Sequence, residues 1–334
     1  MADEDLATKA PESDAKAASS STPSSMIPND TPAQSGASMG EHCTTDRPLP
    51  SSSASPTGEI SKLNTIDCYI SKPSDYPHAP SKLLLLLTGG TGVKSTNNQL
   101  QADAYASRGF LVVMPDQFSG DPAPKTATTT TEADSTHEAS IIERVKLGVA
   151  ETAKAFTIDM WLAKHTPEKV LPILQKVLAG AREEFADAVA NGGGICGAGY
   201  CFGGKYILLL CGSHPATVLH GQKQAGAAEE KGEVRSEPEL KAGVIAHGTL
   251  VTKEDIEAIK APVAMACVAQ DTLFPDDVRE QGRASLELNA VEHEIKVFNG
   301  VPHGFAVVGD YADQNIEEKQ KEAFEMMCDW LEKH

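Results

Sequence analysis

The chain lacks the features that membrane, zinc and nucleic-acid-binding proteins depend on. None of its apolar runs approaches the ~20 residues that span a bilayer, and the leucine run at 83–87 is long enough only for a strand. Its cysteines form no C-x-x-C pair and no Cys/His cluster at zinc spacing. The formal net charge of −18 argues against nucleic acid and anionic membrane surfaces as partners.

The cysteine count and the first residues bear on the cellular compartment. Seven cysteines with no pairing pattern favour free thiols in a reducing environment. Residues 1–5 are acidic and no apolar segment follows them, so neither a secretory signal nor a basic mitochondrial presequence is expected. We therefore expect a cytoplasmic protein.

Composition divides the chain into a tail and a domain. Residues 1–57 are rich in Ser, Thr, Pro and Ala and hold few bulky apolar side chains. Such a segment buries too little surface to offset its chain entropy, so we predict a disordered, low-complexity N-terminal tail. Residues 58–334 carry the apolar runs and are predicted to form one α/β domain.

Short apolar runs alternate with segments of helical periodicity along the domain. The predicted strands are residues 63–70, 82–87, 110–114, a strand beginning at 194, 242–248, 261–271 and 293–298. The predicted helices are residues 98–108, 141–149, 153–164, 166–190 with an interruption at Gly180, a helix through 207–210, 253–259, 276–288 and 314–332. This alternation predicts a doubly wound, mostly parallel sheet with helices on both faces.

A G-x-C-x-G turn at residues 199–203, Gly-Tyr-Cys-Phe-Gly, is the most specific pattern. It is a cysteine form of the G-x-S-x-G nucleophile elbow, in which a strained corner requires residues without bulk two before and two after the nucleophile. The corner places the Cys201 thiol at a helix N-terminus, which favours the thiolate. Cys201 is therefore the candidate nucleophile; the alternative is a Gly-rich turn that holds a buried structural cysteine.

Two backbone N–H groups are candidates for an oxyanion hole. The N–H of Phe202 directly follows the candidate nucleophile. The loop at 88–93, Thr-Gly-Gly-Thr-Gly-Val, follows a buried strand and matches no phosphate-binding pattern, and a backbone N–H of this loop is the candidate for the second donor.

Asp271 and His303 follow the next buried strands and are the candidate acid and base. In open α/β sheets, side chains at the carboxyl ends of strands meet at one edge. The order nucleophile, acid, histidine is also that of a hydrolase triad. A loop-capping role is the alternative for Asp271, and Asp276 and Asp277 are fallback acids that resemble helix N-caps.

Four neighbours of these segments are candidates for the wall of a substrate pocket. They are Gly89, Tyr200, His247 and Phe305. His247 ends a predicted strand and could equally be a core histidine.

Three segments together resemble the signature segments of the dienelactone hydrolase family. They are residues 199–204 (Gly-Tyr-Cys-Phe-Gly-Gly), 269–271 (Ala-Gln-Asp) and 302–305 (Pro-His-Gly-Phe), and the resemblance covers about residues 58 to 334. It implies an α/β-hydrolase fold, no cofactor, no metal, and a Cys201–Asp271–His303 triad acting on enol-lactones and related esters. It also implies that the N–H groups of Phe202 and Gly90 form the oxyanion hole. The resemblance also implies partners that are small esters or lactones, whereas the oligomeric state, monomer or dimer, stays open.

The chain departs from the bacterial members of that family in two places. Their thiol is activated by a glutamate in the loop after the early strand, but residues 88–92 here carry no carboxylate. Their arginines bind a substrate carboxylate, but residues 116–121 and 304–308 hold no arginine. We therefore expect ester chemistry on a substrate other than dienelactone. A thioesterase, another acyl or C–C hydrolase of secondary metabolism, and a non-catalytic binding protein remain alternatives.

Overall fold

The computed structural model describes residues 44–49, 55–125, 157–213 and 237–334. The strands are β1 Glu59–Leu63, β2 Ile66–Ser71, β3 Lys82–Leu87, β4 Phe110–Pro115, β5 Ile195–Tyr200, β6 Ala242–Ala246, β7 Val263–Val268 and β8 His293–Phe298. The helices are α1 Thr96–Ser107, α2 Pro167–Glu184, α3 Ala186–Gly192, α4 Phe202–Leu210, α5 Lys253–Glu257, α6 Asp276–Leu288 and α7 Gln314–Lys333. Residues 157–164 are also helical.

The eight strands form one sheet in the order β1-β2-β4-β3-β5-β6-β7-β8. β1 pairs antiparallel with β2, and β2 pairs antiparallel with β4. The other five pairings are parallel. β4 pairs with one edge of β3 and β5 pairs with the other edge. The order in which strands are added to the sheet therefore reverses between β4 and β5. This order confirms the predicted mostly parallel, doubly wound sheet.

Apolar side chains cover both faces of the sheet. Along β3, Leu83, Leu85 and Leu87 belong to one core, whereas Leu84 and Leu86 belong to the other. Helices α2, α4 and α6 contribute to the first core, and α1 and α7 contribute to the second. A strand buried on both faces reads as a continuous apolar run, which is why β3 is visible in the sequence as five leucines.

The strand predicted at residues 63–70 is correct for β2 but wrong as a single strand, because this stretch contains a reversal of the chain. β1 and β2 form a hairpin in which Leu63 pairs with Ile66. Asn64 and Thr65 connect them with positive φ angles of 45° and 75°. Two consecutive residues at positive φ are typical of the two-residue hairpin turns whose twist matches that of the strands.

The interruption predicted at Gly180 is also wrong. Helix α2 continues through Gly180, and the break comes at Phe185, whose φ of −122° and ψ of 41° are not helical. A Cβ at position 180 would lie 3.2 Å from side-chain atoms of Leu63 and Asn64. The glycine therefore lets the β1–β2 hairpin pack closely against α2.

Some predictions fall outside the described residues. These include the helix at 141–149, the first residues of the helix at 153–164, and most of the predicted tail. The tail boundary at residue 57 stays a prediction, but residues 44–49 contact the domain, as described below. Among the described residues, no helix is long and apolar enough to cross a membrane.

Candidate active site

Cys201 occupies a strained corner between β5 and α4. Its φ of 52° and ψ of −118° lie outside the regions that L-residues normally adopt. A Cβ on Gly199 would lie 2.7 Å from the carbonyl oxygen of Gly203, and one on Gly203 would lie 2.4 Å from that of Leu87. The corner can therefore form only when both flanking positions are glycine.

Four adjacent strands deliver the polar side chains around this corner. Cys201 follows β5, His247 and Thr249 follow β6, Asp271 follows β7 and His303 follows β8. Because β5 to β8 are neighbours in the sheet and run parallel, their carboxyl ends lie side by side. The structure thus brings together the three residues predicted as nucleophile, acid and base, and adds Thr249.

Asp271 and His303 form a buried hydrogen-bonded pair. His303 Nδ1 lies 2.7 Å from Asp271 Oδ2, and the two side chains are only 10% and 3% exposed for His303 and Asp271 respectively. The backbone N–H of Leu273 donates to the other carboxylate oxygen at 2.9 Å. Asp271 is therefore held from both sides, with His303 Nε2 left to face the thiol.

The two fallback acids, Asp276 and Asp277, lie on α6 and are not the hydrogen-bond partner of His303. Asp276 and Asp277 stand in the first turn of α6, whose N-cap is Pro275, so neither is the cap that the sequence suggests. Asp276 pairs with Arg279 at 2.6 Å.

The environment of His303 favours its protonated form. Burial alone would lower the pKa of His303, but the hydrogen bonds with Asp271 and Cys201 raise it to about 9. The histidine is therefore predominantly an imidazolium at neutral pH in the absence of substrate. An imidazolium beside a sulfur atom is the arrangement that stabilises a thiolate.

Thr249, which the sequence analysis missed, contacts both members of the candidate thiol–histidine pair. Its Oγ1 lies 3.2 Å from Cys201 Sγ and 3.1 Å from His303 Nε2. It stands two residues beyond His247 at the end of β6. The strand-end rule that drew attention to His247 applies to Thr249 as well, so the signal was in the sequence.

The other described cysteines have no such surroundings. All six in the described residues are buried and none is in a disulfide, whereas Cys43 lies outside those residues. Burial raises the pKa of Cys267 to about 12 and that of Cys68 likewise to about 12. These thiols are neutral at physiological pH, so Cys201 differs from them by its histidine and its helix end.

The predicted oxyanion donors, Phe202 and Gly90, lie on two segments that are joined by a backbone hydrogen bond. The N–H of Gly203 donates to Thr88 O at 3.0 Å, which joins the elbow to the loop after β3. Asn98 steadies that loop by donating to Thr91 Oγ1 at 2.9 Å. Neither the N–H of Phe202 nor that of Gly90 donates to another described residue, so both are available as donors.

A small cavity lies beside Cys201. Its volume is about 20 Å³, which is room for about one water molecule. Gly89 and His247, two of the predicted wall residues, line it. His247 is 1% exposed and packs edge-on against His303 with a ring-centroid distance of 5.0 Å.

Tyr200 and Phe305, the other predicted wall residues, are buried and do not line this cavity within the described part of the chain. The hydroxyl of Tyr200 lies 2.8 Å from that of Tyr105. The ring of Phe305 packs against Phe298 and His247. Both side chains therefore support the site from the core.

Residues 44–49 lie over the cavity, and we call them the cover segment. Ser95 Oγ donates to Asp46 Oδ1 at 2.5 Å, and Asn97 Nδ2 donates to the carbonyl oxygen of Arg47 at 2.9 Å. The guanidinium of Arg47 stacks 4.0 Å above the ring of Tyr311. Residues 45–47 form part of the cavity wall, although the sequence analysis assigns them to the tail.

The side chains around Cys201 do not form a metal site. Across residues 44–49, 55–125, 157–213 and 237–334, no three His, Cys, Asp or Glu side chains are grouped so that they could hold a metal ion.

The sequence resembles known proteins over most of its length. The sequence profile of the dienelactone hydrolase family matches residues 66–235 and 231–334. Hydrolase pyvD of Aspergillus violaceofuscus is 28% identical over 83% of this chain and 90% of its own length. Dienlactone hydrolase 1 of Gibberella moniliformis is 26% identical over 83% of this chain and 88% of its own length.

Solved structures share the fold. A Klebsiella pneumoniae protein described as a dienelactone hydrolase superposes with a TM-score of 0.56 at 19% identity, covering 83% of this chain and 99% of its own. Thermogutta terrifontis esterase 2 gives a TM-score of 0.52 at 14% identity, covering 84% and 97%. At such identities the likeness shows the fold alone. Because the family profile spans most of the sequence, the chain belongs to the dienelactone hydrolase family and is an α/β-hydrolase that acts on ester bonds.

Proposed function

We propose that the protein hydrolyses a small ester, lactone or enol-lactone through a Cys201–Asp271–His303 triad. The observation that carries the proposal is the continuous set of hydrogen bonds from Asp271 through His303 to a cysteine on a strained strand-to-helix corner. Nucleophilic catalysis needs this order of groups: a nucleophile, a base within hydrogen-bond reach, and a third group that orients the base.

In the first half of the reaction, Cys201 Sγ attacks the carbonyl carbon of the substrate. The carbonyl oxygen becomes an oxyanion, which accepts hydrogen bonds from the N–H groups of Phe202 and Gly90. His303 donates its Nε2 proton to the leaving alkoxide, the C–O bond breaks, and an alcohol leaves. The acyl group remains on Cys201 as a thioester.

In the second half, water attacks the thioester carbonyl while neutral His303 accepts its proton. The tetrahedral adduct collapses with cleavage of the C–S bond, which releases the carboxylic acid and restores the thiolate beside the imidazolium. Asp271 keeps its hydrogen bond to Nδ1 throughout and stabilises the positive charge whenever the ring is protonated.

The position of Arg47 bears on whether the natural substrate carries a carboxylate. Residues 116–121 and 304–308 hold no arginine, yet the cover segment brings Arg47 to the cavity wall. Arg47 stacks on Tyr311, so its guanidinium is a candidate neighbour for a substrate carboxylate. Matched neutral and carboxylate-bearing esters of the same size therefore distinguish the two substrate classes.

The test compares p-nitrophenyl acetate hydrolysis by the wild type and by Cys201→Ala. We expect loss of turnover in Cys201→Ala and near-wild-type turnover in Cys267→Ala, a buried cysteine outside the site. An acetylated peptide containing Cys201, trapped by acid quench and found by mass spectrometry, identifies the thioester. Turnover by Cys201→Ala at the wild-type rate contradicts the assignment.

A further inference from the structure

We propose that Thr249 is a positioning residue that stabilises Cys201 and His303 as a thiolate–imidazolium pair, an inference that rests on the function proposed above. Its hydroxyl oxygen lies within hydrogen-bond distance of both Cys201 Sγ, at 3.2 Å, and His303 Nε2, at 3.1 Å. One hydroxyl thus serves both members of the pair.

The backbone fixes where this hydroxyl sits. The N–H of Thr249 donates to the carbonyl oxygen of Cys201 at 3.1 Å, so the loop after β6 is bonded directly to the elbow. The next N–H, that of Leu250, donates to the carbonyl oxygen of Leu273, two residues beyond Asp271, at 3.1 Å. The loop is therefore tied to the nucleophile on one side and to the acid on the other.

The side chain has no freedom to turn to solvent. Thr249 is 0% exposed. A buried hydroxyl must bond to protein groups, since an unsatisfied one carries a desolvation penalty. Because Thr is branched at Cβ, its χ1 angle has few allowed values, and the hydroxyl keeps one direction.

The hydrogen-bond capacity of a hydroxyl matches the charged form of the pair. Thr249 can donate its single proton to the thiolate while its oxygen accepts from the protonated Nε2 of His303. With a neutral thiol and a neutral ring the same bonds run in reverse, but they are then weaker, since bonds to ionised groups are roughly twice as strong as neutral ones. The hydroxyl therefore shifts the equilibrium towards the ion pair.

This arrangement also accounts for thiol activation without a carboxylate in the loop after β3. That loop, residues 88–92, is Thr-Gly-Gly-Thr-Gly. A neutral hydroxyl stabilises the thiolate by donation and adds no second negative charge beside it, whereas a carboxylate there would have to accept the proton of the thiol to avoid a second negative charge beside the sulfur.

The test measures the pH dependence of Cys201 alkylation by iodoacetamide in the wild type, Thr249→Val and Thr249→Ser. Alkylation is followed on the peptide that contains Cys201, so the other cysteines do not contribute. Valine has the shape of threonine without the hydroxyl. We expect the alkylation midpoint of Thr249→Val to rise by about one to two pH units and kcat/KM at neutral pH to fall roughly 10- to 100-fold. We expect Thr249→Ser to restore both.

Equal alkylation midpoints in the wild type and folded Thr249→Val overturn the inference, even if activity falls, because a purely structural role would change activity without moving the thiol titration. If Thr249→Val does not fold, Thr249→Ala gives the same comparison with a smaller side chain. The alkylation assay needs no turnover, so it stands apart from the test with Cys201→Ala: turnover by that variant would reject the triad, whatever the Thr249 variants show.

Discussion

The carboxylate of Asp271 and the imidazole of His303 meet at 2.7 Å although 32 residues separate them and each leaves the sheet on a different strand. β7 and β8 are adjacent and parallel, so the loops that follow them rise side by side. The carboxylate is also fixed by the N–H of Leu273. The ring of His303 therefore has one orientation, in which Nε2 faces the sulfur.

The substitution Asp271→Asn tests the value of that orientation. The amide keeps the shape of the side chain and can accept from the N–H of Leu273, but it lacks the charge that holds the imidazolium. We expect kcat/KM for an aryl ester to fall roughly 10²- to 10⁴-fold with little change in thermal stability. Asp276→Asn, a nearby acid on α6 that pairs with Arg279, is the control and should stay within a few-fold of the wild type. Equal losses in both variants would remove Asp271 from the triad.

The stability of the protein should depend on pH through His303. Its pKa is raised to about 9 in the folded state from an ordinary value of 6.5, so between those values folded His303 keeps a proton that the unfolded chain has lost. A Cys201 thiolate releases one proton on folding and cancels this difference, so the measurement uses Cys201→Ser, in which Asp271 still raises the pKa of His303. In that variant the stabilisation is complete below pH about 6.5 and is lost as the pH rises through the raised pKa of folded His303. Melting temperatures measured across this window should fall more steeply for Cys201→Ser than for the double variant Cys201→Ser, His303→Gln. Parallel curves would contradict the raised pKa.

Gly203→Ala should destabilise the whole domain. A Cβ there would lie 2.4 Å from the carbonyl oxygen of Leu87 and 2.5 Å from its carbonyl carbon, and these are backbone atoms of β3 that cannot rotate away. We expect a loss of at least about 1–3 kcal/mol in the free energy of unfolding, measured by urea denaturation. The control is Gly192→Ala at the end of α3, where a Cβ meets Lys82 at an ordinary 3.5 Å. That variant should be neutral or slightly more stable.

Loosening the cover segment should change which esters react. The cavity beside Cys201 holds about 20 Å³, which is too small for an ester, so we expect residues 44–49 to shift when a substrate binds. Asp46→Ala removes the bond to Ser95, and we expect kcat/KM for a long-chain aryl ester to rise roughly threefold or more relative to the acetate. Asp67→Ala removes an exposed pair with Lys62 and should leave the ratio unchanged. An unchanged ratio in Asp46→Ala would show that the segment does not limit entry.

Buried strands and the elbow could be predicted because their chemistry is local. The leucines of β3 form an uninterrupted run since both faces of that strand are covered, and the glycines around Cys201 are required by close backbone contacts. The hairpin at residues 64 and 65 was missed because neither residue is glycine, although both adopt positive φ.

Features that depend on contacts between distant segments could not be predicted. The cover segment is held in part by its own carbonyl oxygens, as in the bond from Asn97 to Arg47, and such bonds leave no pattern in the side chains. Tyr200 adjoins Cys201 in sequence, yet its ring lies in the core with Tyr105, because successive side chains of β5 point to opposite faces of the sheet.

The delivery of each site residue by a different strand also determines when the site can exist during folding. Cys201 and Thr249 are 48 residues apart, and Asp271 and His303 are 32 apart, so their meeting depends on the pairing of β5 to β8. Non-local parallel pairing is slow compared with helix formation. A partly folded chain with its helices in place therefore lacks the contacts around Cys201, and these contacts form only as that half of the sheet is completed.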